Sequence, residues 1–287
     1  MIAVEGLGFR FQGNAEDTLH GVNLAIEAGE FVVITGPSGC GKSTLTQAIS
    51  GTLSRQFDGE ASGTVVVKDL DVGQCPIYDV AEVVGLVQQN PEAQFCTLTV
   101  QDEVAFGLEN RLLAPDEILE RCAWALSIVG AGHLQDRQLA TLSGGEKQKI
   151  AIAAMMAAKP EILIFDEPTS NLDPTATAEV FGVIEHIRAK AGITVIVIEH
   201  KVGYLRPFRP RQVVMKAGRL VSDGPMSIAG SIPESTRPAP RASIGGPAII
   251  QIDDLHAGYN GRAVLQGVSL KVQPGELLAV MGNNGSG

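Results

Sequence analysis

Nine residues, GPSGCGKST from Gly36 to Thr44, carry the chemistry that is easiest to name. Their spacing fits GxxxxGK[ST], a loop whose backbone N–H groups wrap phosphate oxygens. In such a loop Lys42 reaches the β and γ oxygens and the Ser43 hydroxyl ligates Mg²⁺. The expected phosphate contacts are therefore Gly36, Pro37, Ser38, Gly39, Cys40, Gly41, Lys42, Ser43 and Thr44. Cys40 stands at a variable position of the loop and reads as a small filler rather than a reactive thiol.

A second group of acids follows the apolar run ILIFDEP. Asp166 can hold Mg²⁺ through water, and Glu167 can polarise a water attacking a terminal phosphate. Between these two stretches lies LSGGEKQKIAIAAMMA, a helix start with Ser143 at the capping position. Further polar residues stand at ends of apolar runs: Gln88 and Gln89 in GLVQQNPEAQF, the run Ser170 to Asp173 (SNLD), and His200 closing VIVIEH. A lone histidine after a strand is by itself most often structural or merely exposed. Trp124 is expected to pack, and the small basic cluster LRPFRPR, Leu205 to Arg211, to be a solvated surface feature.

The elements that must position these groups are legible as runs. EFVVIT leads into the glycine loop as a buried strand, and STLTQAIS continues from it as a helix ending at Gly51. Ile2 to Phe11 and Val22 to Ile26 alternate as short strands. From about Pro91 the character turns helical: TVQDEVAFGLENRL has a polar start, and APDEILERCAWALSIVG begins after Pro115 and stops at Gly130. EILIFDEP and ITVIVIEH are nearly all apolar, as parallel strands covered on both faces are, and the helical stretch Thr175 to Ala191 separates them. QVVMKAGRLVSDG predicts a hairpin turning at Ala217 and Gly218.

Composition sets limits. The 287 residues are 45% hydrophobic, enough for a core, with a formal net charge of -10 that argues against a sequence-independent grip on nucleic acid. Four separated cysteines without a CxxC pair predict neither a zinc site nor a disulfide framework, and a reducing, cytoplasmic compartment. The opening MIAVEGLGFRF lacks the pattern of a secretory signal, and no apolar run reaches the roughly 18 residues of a membrane span. Any membrane role is expected to need a partner.

Residues 226–247 are rich in Pro, Ser and Gly, which is linker composition. Beyond them, IIQIDDLHAGYNGRAVLQGVSLKVQPGELLAVMGNNGSG parallels IAVEGLGFRFQGNAEDTLHGVNLAIEAGEFVVITGPSGCG, so the chain holds an internal repeat. The expectation is a tandem protein truncated inside its second copy, with residues 248–287 weakly ordered or borrowed by another surface.

In this order the motifs resemble those of the ATP-binding cassette (ABC) ATPases. LSGGE, Leu142 to Glu146, is similar to that family's signature. The resemblance implies a P-loop α/β fold: a RecA-like parallel-sheet core, an antiparallel β subdomain and an inserted helical subdomain at about 91–150, all within a cassette of residues 1–225. It also implies ATP and Mg²⁺ as cofactors. Catalytic roles fall on Glu167, on His200 as the switch histidine, and on Gln88 or Gln89, preferably Gln89, as the Q-loop residue and a Mg²⁺ contact beside Ser43 and Asp166. SNLD resembles the D-loop, and Phe11 stands where an aromatic ring meets adenine, unless it is a strand core residue; Tyr259 matches it in the second copy.

The same resemblance implies that Ser143, Gly144, Gly145 and Glu146 act in trans, closing ATP on the phosphate loop of a second cassette joined head to tail. QQNPEAQFCTLTVQDEVAFGLEN is similar to the corresponding segment of energy-coupling-factor (ECF) ATPases, which energise uptake of vitamins and of cobalt or nickel. The implied setting is the cytoplasmic face of a membrane, with a transmembrane scaffold subunit and a substrate-binding membrane subunit as partners. Alternatives are another ABC importer or a non-transport ABC protein acting on ribosomes or DNA. Glu146 in place of the more usual Gln, and Phe11 in place of Tyr, are the departures.

Overall fold

The computed structural model describes residues 1–226, 247–259 and 262–280. Most of the expected linker, the side chain of Tyr259 and the final MGNNGSG lie outside the described residues. The chain divides into two units, one of residues 1–171 with 176–226 and the other of residues 172–175 with 227–287.

The first unit opens with β1 (Ile2–Phe11), β2 (Leu19–Ile26) and β3 (Phe31–Thr35), followed by α1 (Lys42–Ile49) and a single turn, α2 (Leu53–Gln56). After these come β4 (Gly59–Val67), β5 (Leu70–Asp71), α3 (Ile77–Val83) and β6 (Val84–Val87). The helical insertion follows as α4 (Pro91–Gln94), α5 (Val100–Glu109), α6 (Pro115–Ile128) and α7 (Gly144–Ala157), which runs past the expected boundary at 150. β7 (Ile162–Asp166), α8 (Pro174–Ala191, in this unit from Ala176 on), β8 (Thr194–Ile198), β9 (Arg211–Lys216) and β10 (Arg219–Pro225) complete the unit.

Two sheets result. One is antiparallel, in the order β2-β1-β4-β5; the other has the order β10-β9-β3-β8-β7-β6. Within the second sheet β9, β3, β8, β7 and β6 run parallel, and β10 is an antiparallel edge. Every residue of β3 and β8 is buried, as expected of strands covered on both faces, which cannot show alternation. A core cluster joins α1 (Leu45, Ile49) to the antiparallel sheet (Ile2, Val4, Val65) and to the parallel one (Ile34, Ile164, Ile196). The helix after the glycine-rich loop is thus anchored from two sides.

The expected strand from Val22 begins earlier, at Leu19, which is fully buried. The basic cluster at 205–211 corrects the sequence reading: it is not merely solvated. Leu205 is fully buried, and Arg211 makes paired hydrogen bonds of 2.7 Å to Asp223 and one of 2.9 Å to Glu30. Asp223 is held below the usual carboxylate range by the Arg211 hydrogen bonds and charge. The cluster ties β9 to β10 and to the turn before β3.

The second unit contains a two-stranded antiparallel ribbon, β11 (Ile250–Tyr259) with β12 (Arg262–Val272). Its pairing Ile250↔Val272, Ile252↔Leu270, Leu255↔Val268 and Ala257↔Leu265 repeats the spacing of Ile2↔Ile26, Val4↔Leu24, Leu7↔Val22 and Phe9↔Leu19. Irregularities fall at matching places, after Val4 and Ile252 and after Leu7 and Leu255. Ile250 and Leu255 are exposed where their counterparts Ile2 and Leu7 are buried. Among the described residues no helix is long and apolar enough to cross a membrane.

Candidate active site

Four loops leave the carboxyl ends of neighbouring parallel strands, the region where α/β sheets place ligands. The loop after β3 closes tightly on the sheet: a Cβ at Gly36 would stand 2.2 Å from the Met215 carbonyl oxygen on β9. Gly41, at φ 99°, caps α1 in a conformation that L side chains avoid. The first turn of α1 has no acidic residue and no side-chain cap, so its N–H groups and dipole are left for an anion. Lys42 is 5% exposed, and its Nζ donates to the carbonyl oxygens of Gly36 and Pro37, at 3.0 Å each. The ammonium is thus held by the backbone of its own loop.

Asp166 ends β7 and accepts a 3.1 Å hydrogen bond from the Ser43 hydroxyl. Burial pushes its carboxyl above the ordinary range, with the Glu167 charge adding to the rise; the Ser43 bond and Lys42 oppose it. A carboxylate so placed favours a cation. Among the described residues no group of three or more His, Cys, Asp or Glu forms a metal cage. The donors that do stand here, a hydroxyl and a carboxylate, fit Mg²⁺, a hard ion that keeps waters and takes its remaining oxygens from substrate phosphates.

Glu167 follows at φ 47°, a left-handed conformation costing a non-glycine residue on the order of 1 kcal/mol. The surroundings enforce it: its N–H donates to Ile198 O on β8 at 3.0 Å, and its carbonyl accepts from Ser170 N at 3.2 Å. The carboxylate is held at both oxygens. Oε2 accepts from Gln89 Nε2 at 3.2 Å, and Oε1 lies 3.0 Å from His200 Nε2. Of the two adjacent glutamines, Gln89 has its side chain on Glu167, while Gln88 is held through its backbone N–H by Gln94 Oε1 at 3.1 Å. The loops after β6, β7 and β8 therefore meet at one carboxylate.

Phe11 is half-buried at the end of β1, its ring edge-on to Phe9 at 4.8 Å and to Phe57 at 5.5 Å. It lines a shallow concavity of about 650 Å³ with Arg10, Gln12, Asp58 and Glu60. The ring thus packs on the core and keeps one side toward open space.

The LSGGE stretch starts α7 with a complete capping box. Glu146 Oε2 accepts from Ser143 N at 2.7 Å and from Ser143 Oγ at 2.8 Å, and Glu146 N donates back to Ser143 Oγ at 3.4 Å. Glutamate in place of glutamine thus has a local explanation: a charged acceptor at a helix N-terminus. The Ser143 backbone hydrogen bond, its hydroxyl, Arg137 and His133 hold the Glu146 carboxyl below its ordinary value, against a smaller effect of burial. With the folded value depressed, this stabilisation is present above the unfolded value near 4.5 and lost as pH falls through the folded one. Acid titration of the unfolding free energy should cost the wild-type chain on the order of 0.5 kcal/mol more than Glu146→Gln. Superimposable pH profiles would remove the carboxylate from the cap. Lys147, next along α7, pairs with Glu92 on α4, linking this helix to the loop after β6.

Sequence reasoning passed over Thr169, Glu199 and Lys201. Glu199 is 2% exposed and lies between β8 and His200. An acid directly after TVIVI, a strand with four apolar residues in five, was the available signal.

Residues 19–170, about half of the chain, match the family model described as ABC transporter. A Pyrococcus horikoshii protein described as an ABC transporter ATP-binding protein is 41% identical over 224 residues, covering 78% of this chain and 79% of its own length. A Methanosarcina mazei protein of like description is 33% identical over 344 residues; the match takes in all of this chain but 59% of the relative. The chain thus spans under two thirds of that relative's length. Among solved structures, cbiO1 from Clostridium perfringens, part of the ABC transporter complex cbiONQ, is 33% identical with a TM-score of 0.70, over 78% of this chain and 87% of that one. An ATP-binding cassette solved as a dimer in a post-hydrolysis state with ADP and Pi is 25% identical with a TM-score of 0.68, over 79% and 99%. The family model and the relatives agree with the loops at the parallel strand ends: this chain belongs to the ABC transporter family and carries an ATP-binding cassette.

Proposed function

We propose that the chain is the ATP-hydrolysing subunit of a membrane importer of the ECF type, driving uptake of a vitamin or of cobalt or nickel. The observation that carries the hydrolytic part is the Glu167 carboxylate, gripped by Gln89 and His200 beside the Asp166–Ser43 pair. Lys42 turns from its two carbonyls to the terminal phosphates, and the open N–H groups of α1 hold the phosphate oxygens. Ser43 and Gln89, with Asp166 through water, would hold Mg²⁺, and the ion would supply positive charge against the phosphates. Glu167 takes the proton of the attacking water. His200 orients that carboxylate and meets the γ-phosphate, while the Phe11 ring stacks on adenine.

The second cassette supplies Ser143 and the N–H groups of Gly144 and Gly145, a helix tip that favours the γ-phosphate. Hydrolysis removes that contact and opens the pair, a motion passed to a transmembrane scaffold with its substrate-binding subunit at the cytoplasmic face of the membrane. The ECF assignment is supported by the segment QQNPEAQFCTLTVQDEVAFGLEN and by the likeness to cbiO1. The repeated register of the β11–β12 ribbon supports residues 248–287 as the start of a second cassette.

Co-expression with the membrane proteins encoded beside its gene tests the reading. The chain should co-purify with a small substrate-binding membrane protein and a larger scaffold, and ATP turnover should rise in that complex. Co-purification with ribosomes and with no membrane protein would overturn it. A chain lengthened through a second lysine and a second signature should hydrolyse ATP without needing another copy.

A further inference from the structure

Glu167 and His200 sit on different loops, and their 3.0 Å contact is only as well defined as the distance between those loops. The buried side chain that spans the gap is Glu199. Its Oε2 accepts from the Thr169 hydroxyl at 2.6 Å, on the loop after β7, two residues beyond Glu167. Its Oε1 accepts from the backbone N–H groups of His200 at 2.8 Å and Lys201 at 2.9 Å, the first residues of the loop after β8. Lys201 Nζ returns to the Thr169 carbonyl at 2.6 Å. A carboxylate 2% exposed is expensive to bury unless its oxygens are satisfied, and here three donors from two loops satisfy it. Thr169 is fully buried as well.

We infer that Glu199 is a positioning residue for hydrolysis: its buried carboxylate clamps the His200 loop to Thr169 and so fixes where the His200 ring stands against Glu167. The inference rests on the proposed roles of Glu167 and His200. Glu199 touches neither nucleotide nor the reacting water; it acts through the two loops it joins. Glutamine can keep Oε1 on the two N–H groups and turn its amide toward the Thr169 oxygen, which can accept, so the clamp needs the shape of the side chain more than its charge. Alanine removes the acceptor that the hydroxyl and both N–H groups share.

The experiment measures steady-state ATP hydrolysis and the His200 imidazole NMR signals in Glu199→Ala, Glu199→Gln, Thr169→Val and Thr169→Ser. In Glu199→Ala, kcat should fall about 10- to 100-fold with KM for ATP within about threefold, since a misplacement near 1 Å costs this much. The His200 signal should broaden or multiply. Glu199→Gln and Thr169→Ser should retain most of the rate, Thr169→Val should lose several-fold, and Glu199→Ala with Thr169→Val should lose no more than Glu199→Ala alone. A wild-type kcat and a single sharp His200 signal in Glu199→Ala would overturn the inference; so would independent, multiplying losses in the double variant. Should Glu199→Ala not fold, Thr169→Val decides: full activity there also overturns it. Glu167→Gln run alongside separates the levels: if it keeps its turnover, the proposed site roles fail; if it loses turnover while the clamp variants keep theirs, the clamp alone fails.

Discussion

Replacing Glu167 by glutamine should lower kcat for ATP by about 10²- to 10⁴-fold, the range lost when a positioned general base is removed. MgATP affinity should change by no more than about threefold, because a group that acts on the attacking water contributes to the transition state and not to ground-state binding. The amide is nearly isosteric with the carboxylate, the strained φ of 47° is kept, and the amide oxygen can still accept from Gln89 or face His200. The variant should therefore fold, bind nucleotide and hold it, so that ATP-loaded pairs accumulate. Single-turnover hydrolysis and equilibrium binding, measured on one preparation, check both halves. A wild-type rate would remove Glu167 from the proton transfer.

The second large effect belongs to Lys42. Methionine fits the mostly buried stem without the ammonium, so Lys42→Met should preserve the loop's packing while losing charge-assisted hydrogen bonds to the phosphates. One or two such bonds correspond to about a 10- to 100-fold weaker MgATP affinity by calorimetry. The observed geometry sharpens the expectation. In the structure Nζ serves the carbonyls of Gly36 and Pro37, and these lose their donor in the variant. A small drop in melting temperature without nucleotide should accompany a large drop in nucleotide-induced stabilisation. Unchanged affinity would mean that Lys42 only braces the loop.

The parts that could be read from the sequence share one property: their information is local. GPSGCGKST is contiguous, and the apolar runs of β7 and β8 declare buried parallel strands without reference to anything distant. The helix start at Ser143 was legible for the same reason, and the structure adds that Glu146 completes its cap. The hidden parts depend on pairing. Six of the nine residues of β4 are exposed, so no apolar period announces that strand, and only its alignment on β1 makes it one. Arg211 looked like surface charge because Asp223 and Glu30, its partners, are remote in sequence. Glu199 was passed over for the same reason, since Thr169, which meets it, lies thirty residues earlier. Gln88 and Gln89 could not be told apart from order alone; the Gln89 amide reaches Glu167, whereas Gln88 is bonded through its backbone N–H.

The central claim is that ATP is held between the Lys42 loop of one cassette and the Ser143 helix tip of another. The most direct measurement is the structure of the Glu167→Gln assembly loaded with MgATP. The account predicts the γ-phosphate of each bound nucleotide within hydrogen-bonding distance of Ser143 Oγ from the opposing cassette. Ser143 facing solvent in that assembly, with every terminal phosphate contacted from one cassette alone, would contradict it.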